Sequence, residues 1–330
     1  MRLLEVRDLR KLFPAGRSSG SLLRRGSPSF LHALDGVSFT LAPGEALGVV
    51  GESGCGKSTL AGLVARLADA TSGTILFEGV DIGAVPAARA GRAAWRSRIQ
   101  MVFQDPYDSL DPRRTVRQAV AAPLVRLAGV RGPALEERVQ WALDRVHLAS
   151  DLAGRLPHQL SGGQLARAGI ARAIALAPQI LILDEATSGL DVSIQAAILR
   201  LLDELRRDLG LSLLFVSHDL NVVRLLCQRV LVMYLGQVVE EGPAEAVFDR
   251  PMHPYTAGLA AAVPTFGIAK SHRPRMTGEP LSPIDPPQHT CRFEGRCFRS
   301  ASLCRERMPE LARLNAEQSA ACHYPLTLGN

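Results

Sequence analysis

The sequence predicts an α/β fold in which a buried, mainly parallel β-sheet follows an N-terminal β region. Two short apolar runs carry this prediction, Ala46–Val50 and Ile180–Leu183. Each has the length of a strand and is apolar throughout, as is typical of central strands that are buried on both faces. The chain has 330 residues, 47% of them hydrophobic, which is enough to bury a sizeable core and excludes disorder of the whole chain.

The N-terminal region predicts two strands joined by a loop. Leu3–Phe13 and Ala33–Leu41 carry the apolar and β-branched residues typical of strands, and Pro43 and Gly44 mark a turn. Between the strands, Pro14–Ser29 is rich in Gly, Ser and Arg. This composition favours a solvated, flexible loop, with an arm that binds a partner as the alternative.

The middle of the chain alternates between predicted helices and strands. Helical spacing extends over 115–148, with interruptions at Pro123 and at Pro133. The other expected elements are helices at Lys57–Ala68, Leu165–Ala175 and Val192–Leu209, and strands at Thr74–Phe77, Ile99–Phe103, Ser212–Val216 and Val230–Met233. Beyond about residue 250 the composition changes to dense prolines and then cysteines, so we expect a domain boundary there.

Charge and hydropathy exclude several classes of protein. The net charge is +6, but the basic residues are spread along the chain among acidic ones, unlike those of most nucleic-acid-binding proteins. The longest uncharged stretch, 251–269, contains three prolines and does not predict a membrane-spanning helix. The N-terminus has no apolar signal segment, so we expect the chain to stay in the cytosol. There, reduced cysteines favour metal or cluster ligation over disulfides.

A glycine-rich segment follows the first apolar run and matches a phosphate-binding pattern. Residues 51–58, GESGCGKS, fit G-x-x-x-x-G-K-[ST] between a strand and a helix. Such a loop turns backbone N–H groups and a helix N-terminus toward a phosphate chain. Lys57 can reach the β- and γ-phosphates, and the Ser58 hydroxyl can ligate Mg²⁺. The predicted nucleotide-binding residues here are Gly51, Ser53, Gly54, Cys55, Gly56, Lys57, Ser58 and Thr59.

Two carboxylates follow the second apolar run. Asp184 and Glu185 emerge together at the end of Ile180–Leu183. We expect Asp184 to hold Mg²⁺ through water and Glu185 to act as the general base for an attacking water. Acidic pairs also cap helices, but their place after a predicted parallel strand favours the catalytic interpretation.

Three further features distinguish this chain from other phosphate-loop proteins. Leu160–Gln164 reads LSGGQ and precedes a helix, Gln104 follows the strand that ends at Phe103, and His218 follows the strand that ends at Val216. This constellation resembles the nucleotide-binding subunit of ABC transporters over essentially the whole chain. The resemblance implies a P-loop NTPase (RecA-like) core with an N-terminal antiparallel β subdomain and an inserted α-helical subdomain at about 106–165. It also implies a small Cys-rich C-terminal domain, so that the chain divides into 1–250 and 251–330.

The resemblance also implies roles for single residues. Ser161, Gly162, Gly163 and Gln164 would bind the γ-phosphate of ATP held by the opposite subunit, at a helix N-terminus whose dipole favours an anion. Gln104 would contact Mg²⁺ and the attacking water, and His218 would contact the γ-phosphate and hold Glu185. Asp191 lies in the D-loop, where Gly189 stands at a position more often occupied by Ala. Phe13 is the candidate for stacking on adenine.

Two other segments narrow the resemblance to one subgroup. Residues 104–112, QDPYDSLDP, and 253–256, HPYT, are similar to the ATPases of oligopeptide, dipeptide and nickel importers, in the F-type version. This implies peptide uptake driven by ATP hydrolysis at the cytoplasmic face of the bacterial inner membrane. The implied partners are a second ATPase subunit, two transmembrane permease subunits and, indirectly, a solute-binding protein, with no nucleic acid. The alternatives are a nickel or metal-chelate importer, a soluble ABC ATPase acting on nucleic acid, and an iron–sulfur interaction module.

Four of the six cysteines lie in the last 40 residues. Cys291, Cys297, Cys304 and Cys322 lack the tight pairing of zinc ribbons and of bacterial ferredoxins, so their spacing leaves the ligand open. In the importer subgroup four such cysteines can hold a [4Fe–4S] cluster, which we expect here in a structural role. Zinc and unligated thiols are the alternatives.

The other two cysteines lie in the first 250 residues. Cys227 has an apolar helical context and is expected in the core. Cys55 lies in the phosphate loop beside a helix N-terminus, which tends to lower a thiol pKa. The favoured interpretation is a small packing residue, and a thiol that reacts with alkylating agents and is protected by ATP is the alternative hypothesis.

Overall fold

The computed structural model describes residues 2–17, 28–105, 109–262 and 276–326. The strands are β1 Leu4–Arg17, β2 Pro28–Leu41, β3 Ala46–Val50, β4 Ser72–Phe77, β5 Val80–Asp81, β6 Ile99–Val102, β7 Ile180–Asp184, β8 Ser212–Val216, β9 Arg229–Tyr234, β10 Gln237–Pro243, β11 Ala312–Arg313 and β12 Ser319–Ala320. The helices are α1 Lys57–Val64, α2 Ala87–Ala90, α3 Val116–Leu127, α4 Pro133–Arg145, α5 Gly162–Ile174, α6 Val192–Leu209, α7 Leu220–Leu226, α8 Ala244–Asp249, α9 Pro254–Ala262 and α10 Ser302–Glu306.

The larger sheet has the strand order β11-β12-β10-β9-β3-β8-β7-β6. From β9 to β6 neighbouring strands are parallel, whereas β10, β12 and β11 are added antiparallel. Along β7, Leu181 and Leu183 enter one core cluster and Ile180 and Ile182 enter the other. Alternate side chains of a strand point to opposite faces, so this sheet is buried on both sides, as the apolar runs predict.

The smaller sheet is antiparallel, in the order β2-β1-β4-β5. It confirms the predicted N-terminal β region, but the β1–β2 hairpin is longer than expected. Pro14 pairs with Phe30 and Arg17 with Pro28, so both ends of the predicted loop belong to strands. The Gly- and Ser-rich composition obscured this pairing, which depends on backbone hydrogen bonds with the opposite strand. The rest of that loop, 18–27, lies outside the described residues.

Helices α3, α4 and α5 form the inserted helical region. Pro123 lies inside α3, contrary to the expected interruption, while Pro133 begins α4 as the first-turn preference of proline predicts. Ser161 caps α5 through its side chain, which accepts the N–H of Gln164. The 18-residue α6 has the predicted bounds. It is followed by Gly210, whose φ of 64° lies in the left-handed region that favours glycine. Within the described ranges, no helix is both long and apolar enough to cross a membrane.

The tail, residues 276–326, packs directly on the preceding part of the chain. β12 extends the larger sheet by pairing with β10, Glu240 opposite Ala320. Phe293 is 1% exposed and its ring meets those of Tyr234 and Tyr255 at 5.2 and 5.4 Å between centroids. The tail thus shares a sheet and a core with the rest of the molecule. A functional boundary near residue 250 stays a prediction.

A buried carboxyl links β10 to the segments that follow it. Glu240 is fully buried, and it accepts the backbone N–H groups of Met252 at 2.7 Å and His253 at 2.9 Å. Burial raises the pKa of Glu240 to about 7, from an ordinary value of 4.5. The carboxyl therefore keeps its proton in the folded chain at pH values where the unfolded chain has lost it.

We expect the stability contributed by Glu240 to be fully present below pH 4.5 and lost as the pH rises through about 7. The free energy of unfolding of Glu240→Gln, relative to the wild type, should then rise by about 3 kcal/mol between these values. Burial lowers the pKa of His253 to about 3, which makes stability rise with pH instead of fall. Because the wild type and Glu240→Gln both contain His253, this effect cancels in the comparison. Denaturant titrations across this pH range test the prediction, with Glu241→Gln on the same strand as the control. Parallel pH profiles for the wild type and Glu240→Gln would contradict it.

Candidate active site

The phosphate loop lies between β3 and α1, as predicted. Gly56 precedes α1 with a φ of 106°, and a Cβ atom there would lie 2.2 Å from the carbonyl oxygen of Ala33. Only glycine fits this combination of backbone angle and close approach. Lys57 is 4% exposed, and its Nζ donates to the carbonyl oxygens of Gly51 at 2.8 Å and Glu52 at 3.0 Å. The lysine charge is therefore held inside the loop.

Ser58 and Asp184 come together as the predicted magnesium ligands. The Ser58 hydroxyl donates to Oδ1 of Asp184 at 3.0 Å. Burial raises the pKa of Asp184, because a carboxylate with little water around it is costly to ionise. A hydroxyl and a buried carboxylate beside a phosphate site are oxygen donors that suit Mg²⁺, which binds few protein ligands and keeps substrate phosphates and water as the others.

The second group of predicted site residues consists of Glu185, Gln104 and His218. Oε2 of Glu185 accepts a hydrogen bond from Gln104 Nε2 at 3.3 Å and lies 3.2 Å from His218 Nδ1. The three residues follow β6, β7 and β8, so the carboxyl ends of adjacent parallel strands bring them together, where ligands of such sheets bind. Glu185 has a φ of 48°, an uncommon conformation for a non-glycine residue that often accompanies functional sites.

Most of these groups open onto one cleft of about 430 Å³, although Gly51, Asp184 and His218 are not among its lining residues. Its lining includes nine predicted site residues: Phe13, Ser53, Gly54, Gly56, Lys57, Ser58, Thr59, Gln104 and Glu185. Phe13 is 41% exposed at the mouth of the cleft, and Lys11 Nζ lies 4.9 Å from the centre of its ring. Stacking of Phe13 on adenine stays a prediction.

The cleft also has three lining residues that the sequence analysis missed: Leu31, Ala33 and Pro283. Pro283 belongs to the tail, and its carbonyl accepts the backbone N–H of His32 at 2.8 Å. Asp285 completes this pairing by donating its N–H to the carbonyl of Phe30 at 2.9 Å. No local pattern announces such a contact, because the partners are some 250 residues apart in the chain.

The LSGGQ residues lie elsewhere. Ser161, Gly162, Gly163 and Gln164 are not among the residues that line the cleft, and neither is Asp191. Gly162 and Gly163 instead face the segment around Asp191: an added Cβ would lie 3.5 Å from Leu190 and 2.8 Å from Ile194, respectively. Ser161 and Gly162 are not buried, so the N-terminus of α5 is open to another molecule.

Comparisons with known proteins agree with this geometry. The family profile "ABC transporter" matches residues 34–188, and the profile "Oligopeptide/dipeptide transporter, C-terminal region" matches 239–304. The chain is 44% identical to "Oligopeptide transport ATP-binding protein AppF" of Bacillus subtilis, covering 97% of each chain. It belongs to the ABC transporter ATP-binding family. A "Probable peptide ABC transporter ATP-binding protein y4tS" of Sinorhizobium fredii is also 44% identical, over 97% of this chain and 89% of that one.

Solved structures of ABC ATPases share the fold. "Dimeric structure of a post-hydrolysis state of the ATP-binding cassette MJ0796 bound to ADP and Pi" superposes with a TM-score of 0.64 at 27% identity, over 73% of this chain and 98% of that one. The cbiO1 protein of Clostridium perfringens gives 0.62 at 31% identity, over 76% and 91%. The expected ABC cassette fold is thereby confirmed, whereas the Cys-rich C-terminal domain is not tested by these structures.

The two cysteines of this ABC cassette are both buried. Cys227 packs in the core, as predicted, and burial raises its thiol pKa. Cys55 is the buried packing residue that was favoured, not the reactive thiol of the alternative: it is 3% exposed, and burial raises its pKa although Lys57 Nζ lies 3.9 Å away. Removal from water outweighs the helix N-terminus and the nearby lysine, so the thiol is not activated.

The four tail cysteines are gathered in one region, as free thiols. The Cys291 N–H donates to the carbonyl of Cys304 at 2.8 Å. Burial raises the pKa of Cys291 to about 12 and that of Cys322 to about 11, and electrostatic interaction with the other thiols adds to both shifts. Four thiols are a donor set that zinc and iron–sulfur clusters accept. Within the described ranges, however, no group of three or more His, Cys, Asp or Glu side chains is placed so that it could hold a metal ion.

Proposed function

We propose that this chain is the ATP-hydrolysing subunit of a membrane ABC importer that takes up di- or oligopeptides or related small solutes. The observation that carries the proposal is the contact of Gln104 and His218 with Glu185, a carboxylate that lines the same cleft as Lys57 and Ser58. A phosphate site and a positioned carboxylate are the two parts that ATP hydrolysis requires. The relatives named as peptide ABC transporter ATP-binding proteins support the peptide class.

In this proposal the phosphate loop and Lys57 bind the β- and γ-phosphates of ATP. Ser58, Asp184 and Gln104 would hold Mg²⁺, which would supply charge neutralisation at the phosphate oxygens. Glu185 accepts a proton from the attacking water, and His218 keeps the carboxylate in place. Binding these groups in fixed positions supplies most of the catalysis in phosphoryl transfer.

A second ATPase subunit would complete the site. The exposed N-terminus of α5 supports this, since Ser161–Gln164 do not line the chain's own cleft and are open at Ser161 and Gly162 to a nucleotide held by another subunit. Asp191 belongs to the same surface, because Leu190 and Ile194, which are close to it in sequence, adjoin Gly162 and Gly163. The solved relative bound to ADP and phosphate is dimeric. We infer a heterodimer in which this chain is the F-type subunit; its 44% identity to "Oligopeptide transport ATP-binding protein AppF" supports membership of an oligopeptide transport system.

The proposed complex also contains two transmembrane permease subunits and works with a solute-binding protein, which places the chain peripherally at the cytoplasmic face of the inner membrane. Affinity purification of the tagged chain from gently solubilised membranes tests this. Recovery of two polytopic membrane proteins and a second ATPase supports the proposal. Recovery of ribosomes or nucleic acid, without permeases, would contradict it.

We propose that residues 251–330 form a C-terminal functional unit whose four cysteines hold a [4Fe–4S] cluster. Support comes from the chemistry of four thiols that interact electrostatically and from the match of 239–304 to the C-terminal region of oligopeptide transporters, although the described side chains do not by themselves form a metal site. No step of ATP hydrolysis depends on this cluster.

The cluster proposal predicts that chain purified without oxygen contains about four iron atoms per chain and the broad visible absorption of an iron–sulfur cluster. Cys304→Ser should remove both, because a cluster of this type needs four thiolates. Cys227→Ser, which changes a buried core thiol outside the tail, is the matched control. Stoichiometric zinc without iron, or no metal at all, would overturn the proposal.

A further inference from the structure

Glu52, the second residue of the phosphate loop, is held on three sides. Its backbone N–H donates to the Tyr255 hydroxyl at 2.8 Å, and its carbonyl accepts from Lys57 Nζ at 3.0 Å. Its carboxylate accepts two hydrogen bonds from Arg296, Nη1 to Oε2 at 2.7 Å and Nη2 to Oε1 at 2.9 Å. Two of these partners, Tyr255 and Arg296, come from beyond residue 250.

Arg296 is itself firmly anchored. It ends the 3₁₀ turn Glu294–Arg296, between Cys291 and Cys297, and its side chain is 10% exposed. The guanidinium lies 5.8 Å from the ring centre of Tyr234 and 5.9 Å from that of Phe293, which is itself fully buried. A planar guanidinium that makes two parallel bonds to a carboxylate fixes both partners in orientation as well as in charge.

The charge of Glu52 has a direct consequence for nucleotide binding. A carboxylate in a phosphate loop repels the anion that the loop must receive, and the repulsion is strong where water is scarce. Arg296 cancels this charge through a contact that is mostly removed from solvent. The paired bonds also hold the peptide whose carbonyl is bonded by Lys57, and with it the path of the loop backbone.

We propose that Arg296 is a positioning residue for the phosphate loop: it neutralises Glu52 and fixes the loop in the conformation that receives the phosphates of the nucleotide. The inference rests on the proposed function and deepens it, because it makes the Cys-rich tail part of the nucleotide site. Changes in the tail that displace Arg296 then weaken nucleotide binding without touching a group that contacts ATP.

Binding of Mg²⁺-ATP to the purified full-length chain tests the proposal, with each variant kept well below its melting temperature. Arg296→Ala should raise the Kd about tenfold, equivalent to about 1.4 kcal/mol. Arg296→Lys should be intermediate, since an ammonium keeps the charge but cannot make the paired bonds. Glu52→Gln/Arg296→Ala should bind more tightly than Arg296→Ala alone, because the uncompensated carboxylate is gone.

Arg305→Ala is the matched control. Arg305 also adjoins a cysteine of the tail and pairs with Glu294 at 2.8 Å, but its side chain is 74% exposed and does not contact the phosphate loop. Its Kd should equal that of the wild type. A purely structural role for Arg296 would lower the melting temperature and leave the Kd of the folded chain unchanged, which would overturn the proposal.

The double variant provides a second, independent criterion. A Kd for Glu52→Gln/Arg296→Ala as weak as that of Arg296→Ala would contradict the charge argument. Failure of the wild type itself to bind ATP would instead overturn the proposed function, so the two failures are distinguishable.

Discussion

Replacing Glu185 by glutamine is expected to reduce phosphate release about 10²- to 10⁴-fold, the usual contribution of a positioned general base. Glutamine keeps the size of the side chain and can still accept a hydrogen bond from Gln104, which lies 3.3 Å from Oε2. It cannot accept a proton from water. ATP binding should therefore stay within a few-fold of the wild type, because the phosphates are held by other residues.

The measurement is steady-state phosphate release by the assembled transporter. The corresponding carboxylate of the proposed partner ATPase subunit should be replaced in the same preparation, so that only the half-site built on this chain is counted. Glu204→Gln, an exposed carboxylate of α6, is the control and should keep full activity. Release from Glu185→Gln close to the wild-type rate would show that another group activates the water.

Replacing Lys57 by alanine is expected to weaken ATP binding about 10- to 100-fold, the range for loss of charge-assisted hydrogen bonds. The residue is 4% exposed, so its charge acts where water screens it little. Removal also leaves the carbonyl oxygens of Gly51 and Glu52 without their donor. Turnover should be lost together with binding.

Equilibrium binding of a fluorescent ATP analogue checks the Lys57 prediction. Lys57→Met keeps most of the side-chain volume and removes the charge, so it should bind as weakly as Lys57→Ala. Binding by Lys57→Met close to that of the wild type would assign the effect to packing and contradict the role of the charge. Thermal melting of each variant without nucleotide shows whether the loop still folds.

The parts of the fold that follow from local rules were predictable. The central strands β3 and β8 and helix α6 have the predicted bounds, because an apolar run, a cap such as Asp191 and a terminal Gly210 are all visible in the sequence. The phosphate loop was equally clear, since the glycines, Lys57 and Ser58 must stand at fixed spacing. Glu185 was found from its place after a buried strand, Gln104 and His218 were assigned through resemblance, and the sheet topology explains why the three meet.

The contacts made by the tail could not be predicted. Arg296 pairs with Glu52, and Pro283 pairs with His32, across about 250 residues with no periodic pattern on the tail side. Strands β11 and β12 have two residues each, too short for any alternation to be recognised. Only the folded sheet edge presented by β10 defines where they pair.

The alternative of a reactive Cys55 fails for a different reason. Sequence position indicates the helix N-terminus and Lys57, both of which lower a thiol pKa. It does not indicate that the thiol is 3% exposed, and burial is the larger effect. The direction in which a nearby charge or helix terminus shifts a pKa can be inferred from sequence. Whether desolvation outweighs that shift depends on how the side chain is packed in the folded chain.

The most direct test of the central claim is phosphate release by the chain assembled with its permease subunits, with and without peptide-loaded solute-binding protein. We expect the loaded binding protein to raise the rate, and Glu185→Gln to abolish the rise when the site of the proposed partner ATPase is silenced. A rate that is unchanged by permease and binding protein would contradict the assignment to a transport-coupled ATPase.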